Sequence, residues 1–536
     1  MTKPLWIIAI GALALSACSG SSGVPGTQNQ LPTVAELARN GVLGPGAPLP
    51  EPPEVDPVHK VATVVLSTIV DPATALPAFL YQGQKGVAPT IRVNPGDTIV
   101  VDVQNALPPS GGMASDMNLH FHGLEVSPEA PSDDVITMLA MPGGSLHYVV
   151  KLPKNAEPGL YWYHPHVHGQ TDYQVGSGGM SGAIVVNGLE KHYPALAAMK
   201  ERLMIVRDVA ASAPDALSLR HHDGAPMQMP MGDAGDARLV RRPLDEDSNT
   251  NPCGPDPGLT VTVNGVVSPR IKIAAGESQF FRVVNATGHK NMDLAVDGAS
   301  LELVAIDGVA LDAFPGTAAT QIVPDFVLPP AARAEFVVTG TGTPAAFHTK
   351  CFNSGPTGDP DPDTLLATLT PGMASSHHAV AALPHLRVGA PLPVNPLSSS
   401  FPPVAAERTV VLNEDSNAMY INGSPYSPAA PPLFTVHVGS VERWQVVNIT
   451  EEVHDFHMHQ VHFFVQAVNG TAVAHPHWSD SVVVPHRIAG KNGSWTPGYL
   501  QLLIDFRDPI IKGLFVFHCH ILDHEDSGMM ATIRAI

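Results

Sequence analysis

One sequence pattern occurs three times in this chain of 536 residues, and it limits the possible folds more than any other feature. In each copy a glycine is followed nine residues later by an asparagine, with a run rich in β-branched and aromatic residues between them. The three pairs are Gly96 and Asn105, Gly276 and Asn285, and Gly439 and Asn448. The glycine suits a turn and the run has the period of two typical of a strand, so each copy predicts a β-sandwich unit.

The spacing of the copies predicts the domain organisation. Gly276 follows Gly96 by 180 residues and Gly439 follows Gly276 by 163, which is the size of a domain rather than of a solenoid repeat. The 47 glycines and 53 prolines favour many short strands joined by turns over long helices. We therefore expect an all-β fold with three tandem β-sandwiches. Their expected ranges are 56–190, 191–383 and 404–536, with a proline- and serine-rich linker at 384–403.

The first 18 residues have the features of an export signal. Lys3 precedes an apolar run of 13 residues, 5–17, which is shorter than the ~20 residues that a membrane-spanning helix needs. The sequence LSAC, which ends at Cys18, resembles the bacterial lipoprotein box and predicts a lipid-bearing first residue in the mature chain; an ordinary signal peptide with an incidental cysteine is the alternative. Residues 19–55 indicate a flexible tether. We expect an exported protein, periplasmic or attached to the cell envelope.

Charge and cysteine content limit the partners. Lys and Arg number 29 against 49 Asp and Glu, and the resulting net charge of −20 argues against binding to nucleic acid or anionic lipid. Contact with a membrane is expected only through a lipid at Cys18. Cys253 and Cys351 both lie in the expected middle domain, and in an exported protein they either pair or remain two separate buried thiols.

Among the 26 histidines, eight form the four His-x-His pairs that lie beside apolar strand residues. Residues i and i+2 of a strand face the same side, so each pair directs two imidazoles toward one point. The eight are His120, His122, His164, His166, His457, His459, His518 and His520. Burying eight imidazoles without partners would be costly, so the pattern predicts a metal cluster.

The last pair encloses a cysteine. Because Cys519 lies between two histidines of one strand, its side chain is expected to point to the opposite side from theirs. His524 and Met529 follow it by five and ten residues, and a second imidazole is available at His454. A thiolate, imidazoles and a weak thioether are the ligands of a blue-copper centre. One strand is therefore predicted to contact two metal sites and to give electrons a short route between them.

Together, the four pairs, the His454-x-x-His457-x-His459 spacing and the segment HCHILDHEDSGMM resemble the multicopper oxidases, a family with three cupredoxin domains that includes laccases and bacterial cuprous oxidases. The resemblance covers nearly the whole mature chain and implies three cupredoxin-like Greek-key β-sandwiches with four copper ions per chain. It assigns the type 1 copper to His454, Cys519, His524 and Met529. It assigns the type 2 copper to His120 and His457, and the type 3 pair to His122, His164, His166, His459, His518 and His520. The middle domain supplies no ligand.

The resemblance also implies the reaction. Substrate is oxidised by single electrons at the type 1 copper, and O2 is reduced by four electrons to water at the trinuclear cluster. Glu525 occupies the position of a family carboxylate that assists proton delivery. Asp133 or Asp134 is the candidate for a second acid, and a solvated loop carboxylate is the alternative for each of the three.

The electron donor is a small molecule or a metal ion. The first expectation is a laccase-like oxidation of phenols or aromatic amines, and oxidation of Cu(I), Fe(II) or Mn(II) is the second. Met227, Met229 and Met231 provide soft ligands for Cu(I), but the segment is shorter than in the family's cuprous oxidases. Two other classes are a non-catalytic exported protein that binds copper or a partner, and a copper nitrite reductase. The complete set of trinuclear histidines favours the oxidase over both.

Overall fold

The computed structural model describes residues 45–86, 88–109, 115–212, 251–256, 258–372, 386–392, 395–415 and 418–536. The predicted signal peptide with Cys18, most of the predicted tether and the three methionines at 227–231 lie outside these residues. Within them the chain is built of strands with a few short helices, and no helix has the length and apolarity needed to cross a membrane.

The first sandwich lies between residues 54 and 186 and has two five-stranded sheets. Its strands are β1 (Glu54–Val55), β2 (Val61–Val70), β3 (Pro77–Tyr81), β4 (Gln84–Lys85), β5 (Thr90–Val93), β6 (Thr98–Asn105), β7 (His120–His122), β8 (Ser145–Lys151), β9 (Gly159–His164) and β10 (Gly182–Val186). One sheet has the order β1-β5-β10-β9-β7 and the other β4-β3-β2-β6-β8. Strand β7, with the first histidine pair, lies at the edge of its sheet.

The second sandwich lies between residues 200 and 371. Its strands are β11 (Lys200–Ala210), β12 (Leu259–Val263), β13 (Arg270–Ile273), β14 (Ser278–Asn285), β15 (Met292–Val296), β16 (Leu301–Ile306), β17 (Val309–Ala310), β18 (Gln321–Val323), β19 (Asp325–Leu328), β20 (Arg333–Thr339), β21 (Ala345–Lys350) and β22 (Thr364–Pro371). They form a seven-stranded and a five-stranded sheet. Cys253 and Cys351 form a disulfide with Cα atoms 5.3 Å apart, so the paired alternative is the one observed.

The third sandwich lies between residues 406 and 535 and repeats the seven-plus-five arrangement. Its strands are β23 (Ala406–Glu414), β24 (Met419–Ile421), β25 (Phe434–Val436), β26 (Ser440–Asn448), β27 (His454–Met458), β28 (Phe463–Val468), β29 (Thr471–Ala472), β30 (Trp478–Ser479), β31 (Ser481–Val484), β32 (Ile488–Ala489), β33 (Trp495–Thr496), β34 (Gly498–Phe506), β35 (Gly513–Cys519) and β36 (Met530–Ala535). The pair β32–β33 forms a separate small sheet. The prediction of an all-β chain with three tandem sandwiches is confirmed.

Helical segments in the described residues are short and lie between strands. They are α1 (Leu189–His192), α2 (Leu522–Asp526), a π-helical segment (Asp172–Ser177) and single turns of 3-10 helix at Pro194–Ala198, Pro396–Ser398, Lys491–Gly493 and Pro509–Ile511. Helix α2 directly follows the Cys519 strand and contains His524 and Glu525, which it turns back toward the sheet.

The repeated asparagine has the same structural role in all three sandwiches. Asn105, Asn285 and Asn448 each end a strand, are fully buried, and donate from the side-chain amide to two backbone carbonyls later in the chain. In the third sandwich one of these carbonyls belongs to Glu452, two residues before His454. The repeat therefore fixes the loop that leads into the histidine-bearing strand β27.

Candidate metal centres

Strand register brings the histidine pairs together two by two. In the first sandwich β7 pairs antiparallel with β9, which places His120 opposite His164. In the third sandwich β27 pairs with β35 and places His457 opposite His518. The period-two pattern seen in the sequence thus becomes one imidazole-bearing face on each of the two sandwiches.

These two faces meet. The ring of His120 stacks on that of His459 with centroids 3.7 Å apart, and His122 stacks on His457 at 4.0 Å. His520 completes the set, with its ring centroid 5.2 Å from that of His122. All eight predicted cluster histidines are at most 3% exposed. The interface between the first and third sandwiches is therefore an enclosed volume lined by imidazoles.

Three of the imidazole nitrogens converge at one place. The Nε2 atoms of His166, His459 and His518 lie 3.2 Å from one another. Because a neutral imidazole has one N–H and one lone pair, three facing nitrogens cannot satisfy one another, whereas a shared cation accepts all three lone pairs. The Nε2 atoms of His120 and His457 are also buried, and among the described residues neither has a hydrogen-bond partner. The residues present therefore fit a group of metal ions.

Hydrogen bonds on the opposite ring nitrogen fix the tautomer. The Nδ1–H groups of His164, His457 and His518 donate to the carbonyls of Pro165, Asp480 and Cys519 at 2.8, 2.7 and 2.9 Å. This leaves each Nε2 lone pair directed at the cluster, as in metal sites whose ligands are held by a second hydrogen bond.

Burial keeps the cluster imidazoles neutral. Removal from water lowers the pKa of His164 and of His518 to about 3, and it lowers the pKa of the other six well below the usual value. Neutral imidazole is the form that binds a metal ion.

The second centre lies on the other side of strand β35. The Sγ atom of Cys519 lies 3.8 Å from His454 Nδ1 and 3.7 Å from His524 Nδ1, and the two nitrogens are 3.1 Å apart. Met529 is fully buried in the same apolar core, and its carbonyl accepts a hydrogen bond from the Cys519 N–H at 3.0 Å. The structure thus brings the four predicted residues of the mononuclear centre together.

The Cys519 thiol needs a positive partner to ionise. Burial raises the pKa of this thiol well above its usual value, and the N–H of Asp455, which donates to Sγ at 3.3 Å, only partly offsets that effect. A coordinated metal cation deprotonates a thiol outright. A soft metal ion bound by this thiolate and two imidazoles therefore fits the residues present.

A hydrogen-bonded pair of glutamates lies beside the mononuclear centre. Glu452 Oε1 is 3.3 Å from His524 Nε2, the ring nitrogen turned away from Cys519. Glu452 shares a hydrogen bond with Glu414 at the end of β23. Neither glutamate belongs to a recognisable spacing, so the sequence does not point to them.

The predicted acids lie in different surroundings. Asp133 is buried with its carboxylate 3.0 Å from His120 Nδ1, and it accepts hydrogen bonds from the Phe121 N–H and the Gln460 side chain. Burial raises its pKa to about 7. The carboxylate of Asp134 instead accepts from the backbone N–H groups at 136 and 137, so it caps a turn.

Glu525 lies against the cluster from the side of α2. Its Oε2 is 3.2 Å from His518 Nδ1, and its Oε1 is 3.6 Å from His166 Nε2 and accepts from the Thr171 hydroxyl at 3.0 Å. Burial raises the pKa of this carboxyl well above its usual value.

Two further residues next to the cluster were not identified from the sequence. The carboxylate of Asp480 is 3.3 Å from His122 Nε2 and is bound by the guanidinium of Arg333, from the middle sandwich. For Arg333 the available signal was its place, with Glu335, as one of two charged residues in the otherwise apolar segment AARAEFVV.

Comparison with known proteins identifies the family. Family models for multicopper oxidases match residues 70–191, 160–369 and 400–535. This chain belongs to the multicopper oxidase family. The predicted resemblance is thus confirmed, and the three sandwiches are cupredoxin-like.

Similar proteins include several named oxidases. The multicopper oxidase MmcO of Mycobacterium tuberculosis is 24% identical over an alignment of 555 positions, gaps included, which covers 98% of this chain and 94% of that protein. A laccase of Bacillus subtilis is 22% identical over an alignment of 531 positions, gaps included, which covers 85% of this chain and 90% of that protein. The structure of a multicopper oxidase from Campylobacter jejuni, described as a metallo-oxidase, superposes with a TM-score of 0.68 at 21% identity and covers 92% of this chain and 95% of that chain. As a member of this family, the chain is a copper oxidoreductase that uses O2.

Proposed function

We propose that this multicopper oxidase oxidises its donor at the Cys519 centre and reduces O2 to water at the eight-histidine cluster. The observation that carries the proposal is the back-to-back geometry of β35, in which the Cys519 side chain contacts His454 and His524 while the two flanking histidines line the cluster. Copper, when bound, supplies one-electron exchange at the thiolate centre and four-electron delivery to O2 at the cluster. About four copper ions per chain are expected, with the ligands that the family resemblance assigns.

The polypeptide provides the connection between the centres. Cys519 is joined by peptide bonds to the histidine before it and the histidine after it, so covalent bonds bridge the two sites. The His518 Nδ1–H donates to the Cys519 carbonyl at 2.9 Å, which holds that ring in place relative to the thiol.

The reduction of O2 to water consumes protons, and two acids are placed to supply them. Glu525 lies at the type 3 side, against His518 and His166. Asp133 lies next to His120, which is assigned to the type 2 copper, and its carboxylate accepts a hydrogen bond from the His120 Nδ1–H. We assign the proton role to these two residues, since the carboxylate of Asp134 accepts hydrogen bonds from the backbone N–H groups of a turn.

The test is copper analysis combined with oxygen uptake on the reconstituted chain. The proposal predicts about four copper ions per chain, blue absorption and donor-dependent O2 consumption. His457→Ala should lose O2 reduction yet allow anaerobic reduction of the blue centre by the donor. His168→Ala is the matched control, because this histidine extends the second pair in the sequence but packs on Tyr426 with ring centroids 4.7 Å apart. Copper uptake without oxygen consumption would instead support the alternative of a non-catalytic copper-binding protein.

The pair of glutamates beside His524 favours a metal cation as the electron donor. Glu452 lies next to the His524 imidazole and shares a hydrogen bond with Glu414, and carboxylate oxygens suit Fe(II) and Mn(II) better than soft Cu(I). A net charge of −20 also attracts cations. This observation favours Fe(II) or Mn(II) over the phenols and aromatic amines that the sequence placed first. Similarity to the Bacillus subtilis laccase keeps phenols as the second candidate.

Paired variants distinguish the two donor classes. Glu452→Gln and Glu414→Gln should raise KM for Fe(II) and Mn(II) at least about tenfold, the effect of losing about 1.4 kcal/mol of binding, and should leave the KM for a neutral phenol unchanged. Glu407→Gln is the matched control, because this glutamate lies on the same strand and pairs with Arg443 at an exposed position. Equal losses with both donors would contradict a cation site and leave the phenol as the donor.

Export remains part of the proposal. The signal peptide at residues 1–18 and a lipid at Cys18 predict an oxidase of the cell envelope. Mass analysis of the mature chain and its partition into detergent would show whether Cys18 is its lipid-bearing first residue.

A further inference from the structure

The middle sandwich, which contributes no predicted copper ligand, reaches the histidine cluster through one buried arginine. Arg333 is the first residue of β20 and is 0% exposed. Its Nη1 and Nη2 donate to the two carboxylate oxygens of Asp480 at 2.7 Å each, and its Nε donates to the Leu160 carbonyl at 3.1 Å. One guanidinium thus joins the first, second and third sandwiches.

Asp480, held by Arg333, in turn contacts two cluster histidines. Its carboxylate Oδ1 lies 3.3 Å from His122 Nε2, and its backbone carbonyl accepts from the His457 Nδ1–H at 2.7 Å. The Ser481 hydroxyl donates to the same Oδ1 at 2.9 Å. Arg333 and Ser481 therefore hold the Asp480 carboxylate in position beside the His122 ring.

The contact with Asp480 determines which nitrogen of His122 faces the cluster. An ionised carboxylate only accepts, so His122 must carry its proton on Nε2 and present the Nδ1 lone pair. That Nδ1 lies 3.4 Å from His164 Nε2, at the centre of the imidazole group. His164 and His457 are held in the opposite way, with Nδ1–H on a carbonyl and Nε2 toward the cluster.

The glycine after His122 provides an independent observation. Gly123 has φ +84°, and a Cβ there would lie 2.2 Å from Arg333 Nη2 and 2.7 Å from Asp480 Oδ2. Only glycine tolerates both the backbone conformation and the approach of the guanidinium. The turn at the end of β7 is therefore shaped to admit the ion pair of Arg333 and Asp480.

We propose that Arg333 is a positioning residue for the trinuclear cluster. By binding both oxygens of Asp480 it sets the tautomer and orientation of His122, and through these it sets the copper affinity of the cluster. The proposal rests on the proposed function, in which the eight histidines bind copper. Lysine cannot replace arginine here, because an ammonium group does not offer two parallel N–H donors in a fixed plane.

The experiment uses the full chain stripped of copper and then titrated with it. Arg333→Lys and Arg333→Gln should bind copper at the histidine cluster about 10- to 100-fold more weakly than the native chain, the usual effect of removing a group that orients a metal ligand. The blue absorption of the Cys519 centre should appear at the native copper concentration. The copper bound per chain in excess of that at the blue centre reports the cluster separately.

Arg282→Gln is the matched control. Arg282 is also buried in the middle sandwich and pairs with Glu335, which accepts the Leu160 N–H at 3.0 Å, but neither residue contacts Asp480. This variant should lose stability and keep native cluster affinity.

The outcomes separate the possible failures. Native cluster affinity in Arg333→Lys and Arg333→Gln would overturn the proposal, as would an equal loss in Arg282→Gln or a parallel loss of the blue centre. If Arg333→Gln does not fold, Arg333→Lys decides alone by the same criteria. A native chain that takes up copper only at Cys519 would instead refute the proposed function.

Discussion

At the scale of single residues, the reactivity of this chain depends on the removal of its candidate metal ligands from water. Cys519 and the cluster histidines are almost completely buried, and their shifted pKa values favour a neutral thiol and neutral imidazoles. Neutral imidazoles bind metal ions at once, whereas the thiol must lose its proton when the cation binds. Copper binding at the Cys519 centre should therefore release a proton.

Replacing Cys519 by serine tests the mononuclear centre. Cys519→Ser should abolish the blue absorption and the oxidation of every donor, while copper at the histidine cluster remains, because serine lacks the soft thiolate. Absorption spectra and copper analysis of the purified variant measure both effects. Blue absorption in this variant would show that another residue provides the thiolate-like ligand.

Glu525→Gln tests the proton role of this acid. Glutamine keeps the hydrogen-bond acceptor for Thr171 but has no carboxyl proton to transfer, so the O2-dependent turnover should fall by about 10²-fold. Anaerobic reduction of the blue centre should proceed at the native rate, which stopped-flow spectroscopy measures. Unchanged turnover would mean that Asp133 or water alone supplies the protons.

At the scale of elements, strands place the ligands and buried asparagines hold the loops between them. The Asn448 side chain accepts from the Thr450 N–H at 2.9 Å, and the Thr450 hydroxyl lies 3.0 Å from His454 Nε2. The repeated asparagine of the third sandwich is thus linked through Thr450 to His454, a predicted copper ligand.

Comparison of two repeat positions separates stability from site geometry. Asn448→Ala and Asn285→Ala should each lower the free energy of unfolding by about 2–4 kcal/mol, because both leave buried backbone groups without partners. Only Asn448→Ala should also shift the blue absorption, since Asn285 lies in the middle sandwich. Chemical denaturation and absorption spectra provide the two measurements. An identical spectrum in both variants would show that the Thr450 loop does not tune the centre.

At the scale of the whole molecule, the cluster lies at an interface and not inside one sandwich. Four of its histidines come from β7, β9 and the loop after β9, and four from β27, β35 and the residues that follow them. Ions bound there should therefore hold the first and third sandwiches together, with the Arg333–Asp480 pair as the link to the second.

Removal of copper tests this arrangement. Because ions that bind only the folded chain stabilise it by mass action, free copper at roughly 1,000 times its Kd should add about 4 kcal/mol, and chelation should lower Tm accordingly. Scanning calorimetry of stripped and reloaded chain measures the change. His457→Ala should show a smaller gain. Equal Tm values with and without copper would mean that protein contacts alone hold the interface.

The sequence by itself determined the fold class, the family and the residues that converge. Period-two spacing is a local property, so His120 and His122 had to share a face once β7 formed, and Cys519 had to point away from its neighbours. Tertiary structure alone decided what surrounds those residues. The approach of Arg333 to Asp480 spans 147 residues and that of Glu452 to His524 spans 72, and no pattern encodes such pairs. It also distinguished Asp133 from Asp134, which are adjacent in sequence: the Asp133 carboxylate contacts His120, whereas the Asp134 carboxylate accepts from two backbone N–H groups.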